Sequence, residues 1–426
     1  MIYRVFQDLK LSALGFGAMR LPVIDGDDSR IDEAAAMKMV DTAMANGINY
    51  YDTAWGYHGE NSELVMGKAL AKYPRENFYL ATKFPGYDPG NWGKVEEIFE
   101  KQLEKLQVEY FDFYLFHNVC EMNIDAYLDD EKYGIYSYLM EQKKNGRIKH
   151  LGFSCHGAMD ILKRFLDAYG NDMEFCQLQL NYLDWTFQHD KEKVEVLNEK
   201  NIPVWVMEPL RGGKLVNMLP TGALEAMKAS GRGWTPAEWG LRWLYNQPEV
   251  TVVLSGMNSV EMVEENCRTA SEATAGHLTE EDFATLEVVK EKIREKEKVG
   301  CTGCRYCMPC PKGVDIPGIF RCYNAMYTES KAGGRAQFMQ TVGLSKEPPF
   351  ATQCVGCGKC EQHCPQNLPI REKLKEADKA LRPLPYKIAL DVARMFMFRD
   401  AKKTKAGKTK TKRSKAERTA KTGRKS

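Results

Sequence analysis

Eight short β-rich runs alternate with helical patterns over the first two thirds of the chain. Two four-cysteine runs and a lysine-rich stretch follow. Together these features predict an α/β protein: a (β/α)8 TIM barrel, then a small, mainly helical, cysteine-rich domain, then a disordered basic tail. The 426 residues are 43% hydrophobic and 28% charged, which supplies material for a core and excludes a disordered chain. A single barrel takes ~250 residues, so the length leaves room for an appendage. No run of 18 apolar residues occurs, and residues 1–10 lack the apolar stretch of a secretory signal, so a soluble, cytoplasmic protein is expected.

The runs, in order, are ALGFGAM, INYYDTA, FYLATKF, FDFYLFHN, IKHLGFSC, EFCQLQLN, PVWVMEP and VTVVLSG. Between them apolar residues recur three and four apart, as in Val40, Ala43 and Met44, or Leu64, Met66, Ala69 and Leu70. Asp32 is placed to cap the first helix and Asn46-Gly47 to end it in a left-handed turn. Strands apolar on both faces fit a closed parallel barrel better than an open doubly wound sheet. Two more helices are expected, over 259–270 and 279–297. The second opens with Thr279, Glu280, Glu281 and Asp282, which suits a helix N-terminus. The expected domains are a barrel over 1–298, the cysteine-rich domain over 299–382 with helices near 316–328 and 333–341, an amphipathic helix over 383–400, and the tail over 401–426. Pro383 and Pro385 mark the last junction.

In a parallel barrel the chemistry sits at the carboxyl ends of the strands. Asp52, Tyr57, Lys83 and His117 occupy such places. A phenol of pKa ~10 needs a neighbour that stabilises its anion before it can serve as an acid near neutrality. The Lys83 ammonium would do this, held by Asp52. Tyr57 could then protonate a nascent alkoxide while His117 donates a hydrogen bond to the same oxygen, an arrangement suited to carbonyl reduction by hydride transfer. His58 and His156 flank this set with no assigned task, and Cys120, Cys155, Cys176, Cys267 and Cys322 are expected to pack as small apolar groups.

At these residues the chain resembles the aldo-keto reductase family. GINYYDTAWGY carries the Asp and Tyr five residues apart, and ATKF and LFHN carry the lysine and histidine. The resemblance spans about residues 1 to 298. It implies an oxidoreductase acting on an aldehyde or ketone with NADP or NAD extended across the barrel mouth. By matching motifs, Ser154 and Gln177 would hold the carboxamide. The turn with Pro209, Leu210, Gly212, Gly213 and Leu215 would wrap the pyrophosphate through backbone amides, and Asn266 would lie near the adenine. Met257 and Met262 stand where many members carry groups for the 2′-phosphate, and Met207 where several stack an aromatic ring on the nicotinamide.

CTGCRYCMPCP places Cys301, Cys304, Cys307 and Cys310 at intervals of three, and CVGCGKCEQHCP places Cys354, Cys357, Cys360 and Cys364 before a proline. The second run has the spacing of bacterial ferredoxins, in which three thiolates serve one 4Fe-4S cluster and the fourth another. The reading is two clusters, one on Cys301, Cys304, Cys307 and Cys364, the other on Cys354, Cys357, Cys360 and Cys310. Four-Cys zinc is the alternative that three successive CxxC steps disfavour. The intervening length resembles the helical dicluster module fused to several oxidoreductases, a ferredoxin-like domain. A barrel with such a module resembles the iron-sulfur subgroup of the family.

Nicotinamide releases two electrons as hydride while a cluster passes one. A flavin, or a ferredoxin or flavin redox partner, would have to mediate between them. Two alternative readings stand beside the reductase: an electron-transfer protein exchanging electrons between clusters and nicotinamide, and a cofactor-binding redox sensor. Residues 401–426 hold twelve lysines and arginines against the single acid Glu417, leaving the remainder net acidic. Charge alone would allow a membrane-surface contact, but a helix docked on the module with a solvated tail is the favoured expectation. No aromatic residue interleaves the tail, so specific nucleic-acid binding is not expected.

Overall fold

The structure, a computed structural model, describes residues 1–120, 123–187, 190–301, 303, 307–345, 348–364 and 367–397. It has two compact units, Met1–Lys292 and the chain from Ile293 onward. The expected tail over 401–426 and the position of Cys304 lie outside the described residues.

An antiparallel hairpin, β1 (Tyr3–Phe6) and β2 (Leu9–Ser12), precedes eight parallel strands. These are β3 (Leu14–Gly17), β4 (Tyr50–Asp52), β5 (Tyr79–Phe84), β6 (Phe111–Val119), β7 (Ile148–Cys155), β8 (Cys176–Gln179), β9 (Val204–Met207) and β10 (Val250–Ser255). Each pairs with the next in chain order, and β10 returns to β3 with Val253 opposite Leu14, closing the barrel. All eight coincide with the β-rich runs of the sequence, β6 extending one residue past its run to Val119. The first helix, Glu33–Ala45, begins at Asp32, whose carboxylate accepts the Ala35 amide at 3.0 Å, and ends at Gly47 with φ +85.

Side chains on a strand alternate between faces, so residues of one parity fill the barrel. Tyr50, Ala81, Phe113, Phe175, Trp205 and Val252 form a buried inner cluster near the amino ends of their strands. Two residues or more further along the same inward rows stand Asp52, Lys83, His117, Ser154, Gln177 and Met207. Gly152 precedes Ser154 on the inward row of β7, where a Cβ would lie 2.5 Å from the Phe175 ring; only glycine leaves that ring its place.

The hairpin is absent from the sequence-based expectations because its four-residue strands carry mixed, partly charged side chains. It covers the aromatic end of the barrel. Phe6 packs edge-on against Trp205 at 5.0 Å and against His150 at 5.1 Å between ring centroids. Gln7, at the hairpin turn, donates to Glu174 at 2.7 Å, and Glu174 also accepts from His150 and pairs with Lys143.

Two helices of the second half end differently from the sequence expectation. The helix expected over 279–297 runs Glu280–Arg294, because Lys296 and Glu297 donate to carbonyls only three residues back and the chain leaves the α-helical path. The one expected over 333–341 runs Lys331–Phe338, started by the Ser330 hydroxyl accepting the Gly333 amide, and widens into a π-turn over Met339–Gly343. The cysteine-rich unit has its own core, with Phe320, Val342, Phe350 and Leu374 buried between the helices Ile316–Thr328 and Ile370–Leu381. No helix among the described residues is long and apolar enough to cross a membrane.

Burial raises the Glu174 carboxyl, but hydrogen bonds from His150, Lys143 and Gln7 outweigh it and hold the group down to about 2. A depressed carboxyl contributes stability that is present above its unfolded value, ~4.3, and is lost as pH falls toward the folded one. Urea unfolding of Glu174→Gln followed from pH 5 to pH 2 is therefore expected to show a shallower loss of stability than the parent chain. Parallel curves would remove this assignment.

Candidate active site

At the carboxyl ends of β4 and β5, the Lys83 ammonium is fully buried and has three acceptors for its three protons. Asp52 Oδ1 lies at 2.6 Å, the Thr53 carbonyl at 2.7 Å and the Tyr57 hydroxyl at 3.5 Å. Asp52 is 3% exposed, and its second oxygen accepts from Gln177 Nε2 at 3.2 Å. Burial pushes the Asp52 carboxyl upward, and Lys83 and Gln177 pull against it. The same carboxylate, with Tyr57, raises the Lys83 ammonium past the cost of its own burial, while the net direction for the Asp52 carboxyl is above the usual carboxylate range.

Lys83 is fixed from outside the barrel as well. Gln102 Nε2, on the helix Val95–Leu106, donates to the Lys83 carbonyl at 3.1 Å and to Glu63 Oε1 at 2.7 Å. The Thr82 hydroxyl also donates to Glu63, and Tyr114 donates to Gln102 Oε1 at 2.6 Å. Glu63 is completely buried on the helix Ser62–Leu70, and burial raises its carboxyl.

Tyr57 stands on the turn after β4, its ring only partly buried. The sequence argument that Lys83 would make this phenol acidic holds for the sign of that one interaction, but burial outweighs it, and the net direction is above the usual value. The hydroxyl therefore keeps its proton through neutral pH. Its ring lies 6.1 Å from His117 between centroids. Burial, then Lys83, pushes His117 well below its ordinary range, so the imidazole is neutral, and its Nδ1 has no hydrogen-bond partner among the described residues. Asp52, Tyr57, Lys83 and His117 are thus brought together at one rim.

Ser154, 1% exposed at the end of β7, accepts the Asn118 amide at 2.7 Å. Gln177, expected to serve a carboxamide, spends one amide proton on Asp52, which joins the two groups of residues into one network. In the turn after β9, Arg211, Gly212 and Gly213 all have positive φ. The Gly213 and Leu215 amides both donate to the Leu210 carbonyl, so they close the turn itself, while the Gly212 amide has no partner among the described residues. Asn266 donates to the Ser255 hydroxyl at 3.1 Å, tying its helix to the end of β10. Met257 is buried and Met262 is exposed.

Several neighbours escaped the sequence reading. Asn118 adopts φ +58, with a buried Oδ1 that has no partner among the described residues. Tyr87 packs edge-on against His117 at 5.1 Å. Arg20 lies against both Gly212 and Gly256, where a Cβ would meet it at 3.3 Å and 2.7 Å. The His-Asn pair at 117–118 was a usable signal for Asn118; nothing local marks Tyr87 or Arg20. His58 proves structural, accepting the Leu21 amide at 3.1 Å and meeting the Asp28 carbonyl. Cys120, Cys155, Cys176, Cys267 and Cys322 are all buried.

In the second unit, a cavity of about 330 Å³ is lined by Cys307, Cys310, Cys354, Cys357 and Cys360. Cys301 and Cys364 pack against the core of the same unit. Soft thiolates converging from two short loops fit an iron-sulfur group. At the barrel mouth, the Gly212 amide, Asn118 Oδ1 and His117 Nδ1, which have no partner among the described residues, fit a polar cofactor.

A model of the Aldo/keto reductase family matches residues 13–291, and one of the 4Fe-4S dicluster domain matches residues 300–368. L-galactose dehydrogenase of Arabidopsis thaliana is 26% identical over 67% of this chain and 92% of its own. A probable aldo-keto reductase of Glycine max is 28% identical over 66% and 86%. Among solved structures, the holo form of an aldo-keto reductase from Bacillus halodurans matches at 27% identity and TM-score 0.54, covering 68% of this chain and 96% of that one.

Removing one partner of a buried ion pair strands the other. Lys83→Met is expected to destabilise the protein by about 3–5 kcal/mol in denaturant unfolding, and Lys83→Met/Asp52→Asn to recover part of that loss. A double variant no more stable than Lys83→Met would show the pair to be energetically uncoupled.

Proposed function

Since the chain belongs to the aldo/keto reductase family, an oxidoreductase barrel joined to a 4Fe-4S dicluster domain, we propose that it reduces a small aldehyde or ketone with NADPH or NADH. The observation that carries the reading is the contact of the Lys83 ammonium with both the Asp52 carboxylate and the Tyr57 hydroxyl at the mouth of a closed barrel. When bound, the nicotinamide supplies a hydride to the carbonyl carbon. Tyr57 gives its phenolic proton to the carbonyl oxygen as negative charge develops there. A phenol held above its usual pKa is still far more acidic than an alkoxide, so the transfer is downhill.

The neutral His117 imidazole has one N–H with which to hold the same oxygen, and its neutrality avoids a second cation beside Lys83. Lys83 receives the phenolate once the proton has left, and Asp52 keeps Lys83 charged. Ser154, Gln177 and Asn118 are the polar groups for the carboxamide. Pro209, Leu210, Gly212, Gly213 and Leu215 shape the turn for the pyrophosphate, in which the Gly212 amide has no partner among the described residues and can donate. Asn266 serves the adenosine end. Support for a nicotinamide comes also from a Klebsiella pneumoniae aldo/keto reductase of the same fold, solved with NADP and acetate, at 21% identity and TM-score 0.53.

The eight clustered cysteines would hold two 4Fe-4S clusters, Cys354, Cys357, Cys360 and Cys310 on one and Cys301, Cys304, Cys307 and Cys364 on the other. That Cys307 and Cys310 line one cavity with the Cys354–Cys360 loop supports an exchange of ligands between the runs, though it does not single out which of the two crosses over. These clusters would supply single electrons. Coupling them to a hydride needs a flavin, bound or on a redox partner, to split the pair.

Oxidation of NADPH against a panel of aldehydes and ketones, with anaerobically purified protein, tests the reading. Tyr57→Phe is expected to lower the turnover number by about 10²- to 10⁴-fold while leaving NADPH affinity, measured by fluorescence quenching, within about twofold. Because Tyr57 must be protonated and its pKa is raised, the rate should stay flat through neutral pH and fall only above ~10. Failure of any carbonyl to be turned over, with NADPH bound, would remove the proposal. Iron and sulfide should each be present at about eight per chain, and Cys310→Ser should lower both toward about four; zinc in place of iron would overturn the cluster assignment.

A further inference from the structure

The turn after β5 brings a second phenol to the rim that holds Tyr57 and His117. Within that turn Gly86 lies against Tyr127, whose hydroxyl would stand 2.3 Å from a Cβ placed there. Tyr127 also donates to the His117 carbonyl at 2.7 Å, so one side chain fixes both the turn and the end of β6. Trp92 Nε1 closes the turn from its other side by donating to the Gly86 carbonyl at 2.8 Å. From this support the Tyr87 ring stands 5.1 Å from the imidazole and nearly perpendicular to it, as the Tyr57 ring does at 6.1 Å. The Tyr87 hydroxyl rests against Gly56, where a Cβ would lie 2.2 Å from its oxygen. The phenol therefore ends beside the backbone that leads into Tyr57.

Packing on His117 accounts for the ring of Tyr87, and phenylalanine would serve that purpose equally. It leaves the hydroxyl unexplained. Among the described residues that hydroxyl makes no hydrogen bond, although the side chain is partly buried. Burial, then Tyr57, raises it to about 12, so it keeps its proton and can donate through neutral pH. It is not a second proton source, because Lys83 already has its three acceptors and Tyr57 is the only phenol among them. A fixed donor in contact with the imidazole that holds the reacting oxygen meets whatever is bonded next to the carbonyl carbon. Asp88, Glu60 and Glu63 make its surroundings negative, which disfavours a carboxylate there and leaves a neutral oxygen as the group it suits.

We propose that Tyr87 determines specificity by donating its hydroxyl hydrogen to a neutral oxygen on the carbon next to the carbonyl, as in a 2-hydroxy or 2-oxo aldehyde or ketone. This rests on the reading of the barrel as a carbonyl reductase and names the substrate class of that same site.

The test compares propanal with 2-hydroxypropanal, and glyoxylate as a charged relative, with NADPH and anaerobically purified full-length protein. The ratio of kcat/KM for 2-hydroxypropanal to that for propanal should fall about tenfold in Tyr87→Phe, mainly through KM, since the hydrogen bond is made alike before and during the reaction. Intrinsic reactivity of the two aldehydes cancels in that comparison. An equal loss on both would leave Tyr87 as packing for His117 and overturn the proposal. A loss largest on glyoxylate would give the donor to a carboxylate and overturn it as well. Independently of whether the variant folds, propane-1,2-diol should inhibit the parent protein about tenfold more strongly than propan-1-ol, and equal inhibition again overturns it. If no aldehyde is turned over, the reductase reading falls and this inference with it, whereas turnover of propanal with an unchanged ratio removes only the role of Tyr87.

Discussion

A lysine ammonium and an aspartate carboxylate, both withdrawn from water inside a barrel, set the terms for everything around them. Two such charges lose several kcal/mol of hydration each, and only close pairing with every remaining proton satisfied makes the arrangement tolerable. Lys83 meets that condition with three acceptors, one each from a carboxylate, a backbone carbonyl and a phenol. The phenol is the acceptor that can change its charge. The same geometry that satisfies the ammonium therefore also prepares a place for negative charge on Tyr57.

The scaffold keeps those distances short. Beneath the polar rim the barrel is filled by Phe6, Tyr50, Phe113, Phe175 and Trp205, large flat groups that interlock and leave the strands little freedom. Behind β5 the Glu63, Thr82, Gln102 and Tyr114 cluster grips the backbone at Lys83 from the helical layer. Asp52 is in turn tied to Gln177 across the mouth. An ion pair supported from below, behind and across does not have to reorganise when charge moves, the condition under which fixed dipoles are most useful to a reaction.

The second unit answers a different physical demand. Thiolate ligation needs short, flexible loops with glycine and proline between cysteines, so its polar and helical parts are arranged around the loops. A small core of Phe320, Val342, Phe350 and Leu374 holds them. The barrel and the cysteine-rich unit each have their own core. The helix that follows docks by Leu390 and leaves Leu384, Ile388, Val392 and Met395 exposed.

Much of this was legible along the chain because it depends on local pattern. Short β-rich runs mark strands whatever lies beside them, and each of the eight barrel strands coincides with one, β6 running a single residue past its own. The Asp52, Lys83 and His117 motifs mark strand ends, and cysteine spacing marks loops for metal. What the tertiary structure alone decided concerns balances between distant groups. Whether Tyr57 is made more or less acidic depends on burial against Lys83, and burial wins. Whether Gln177 is free for a ligand depends on Asp52, which lies on a strand far away in the sequence. The β1–β2 hairpin covers the end of the barrel because Phe6 finds an aromatic ring system assembled from β4, β6, β9 and Phe175 just before β8, a partner that exists only once the barrel has closed.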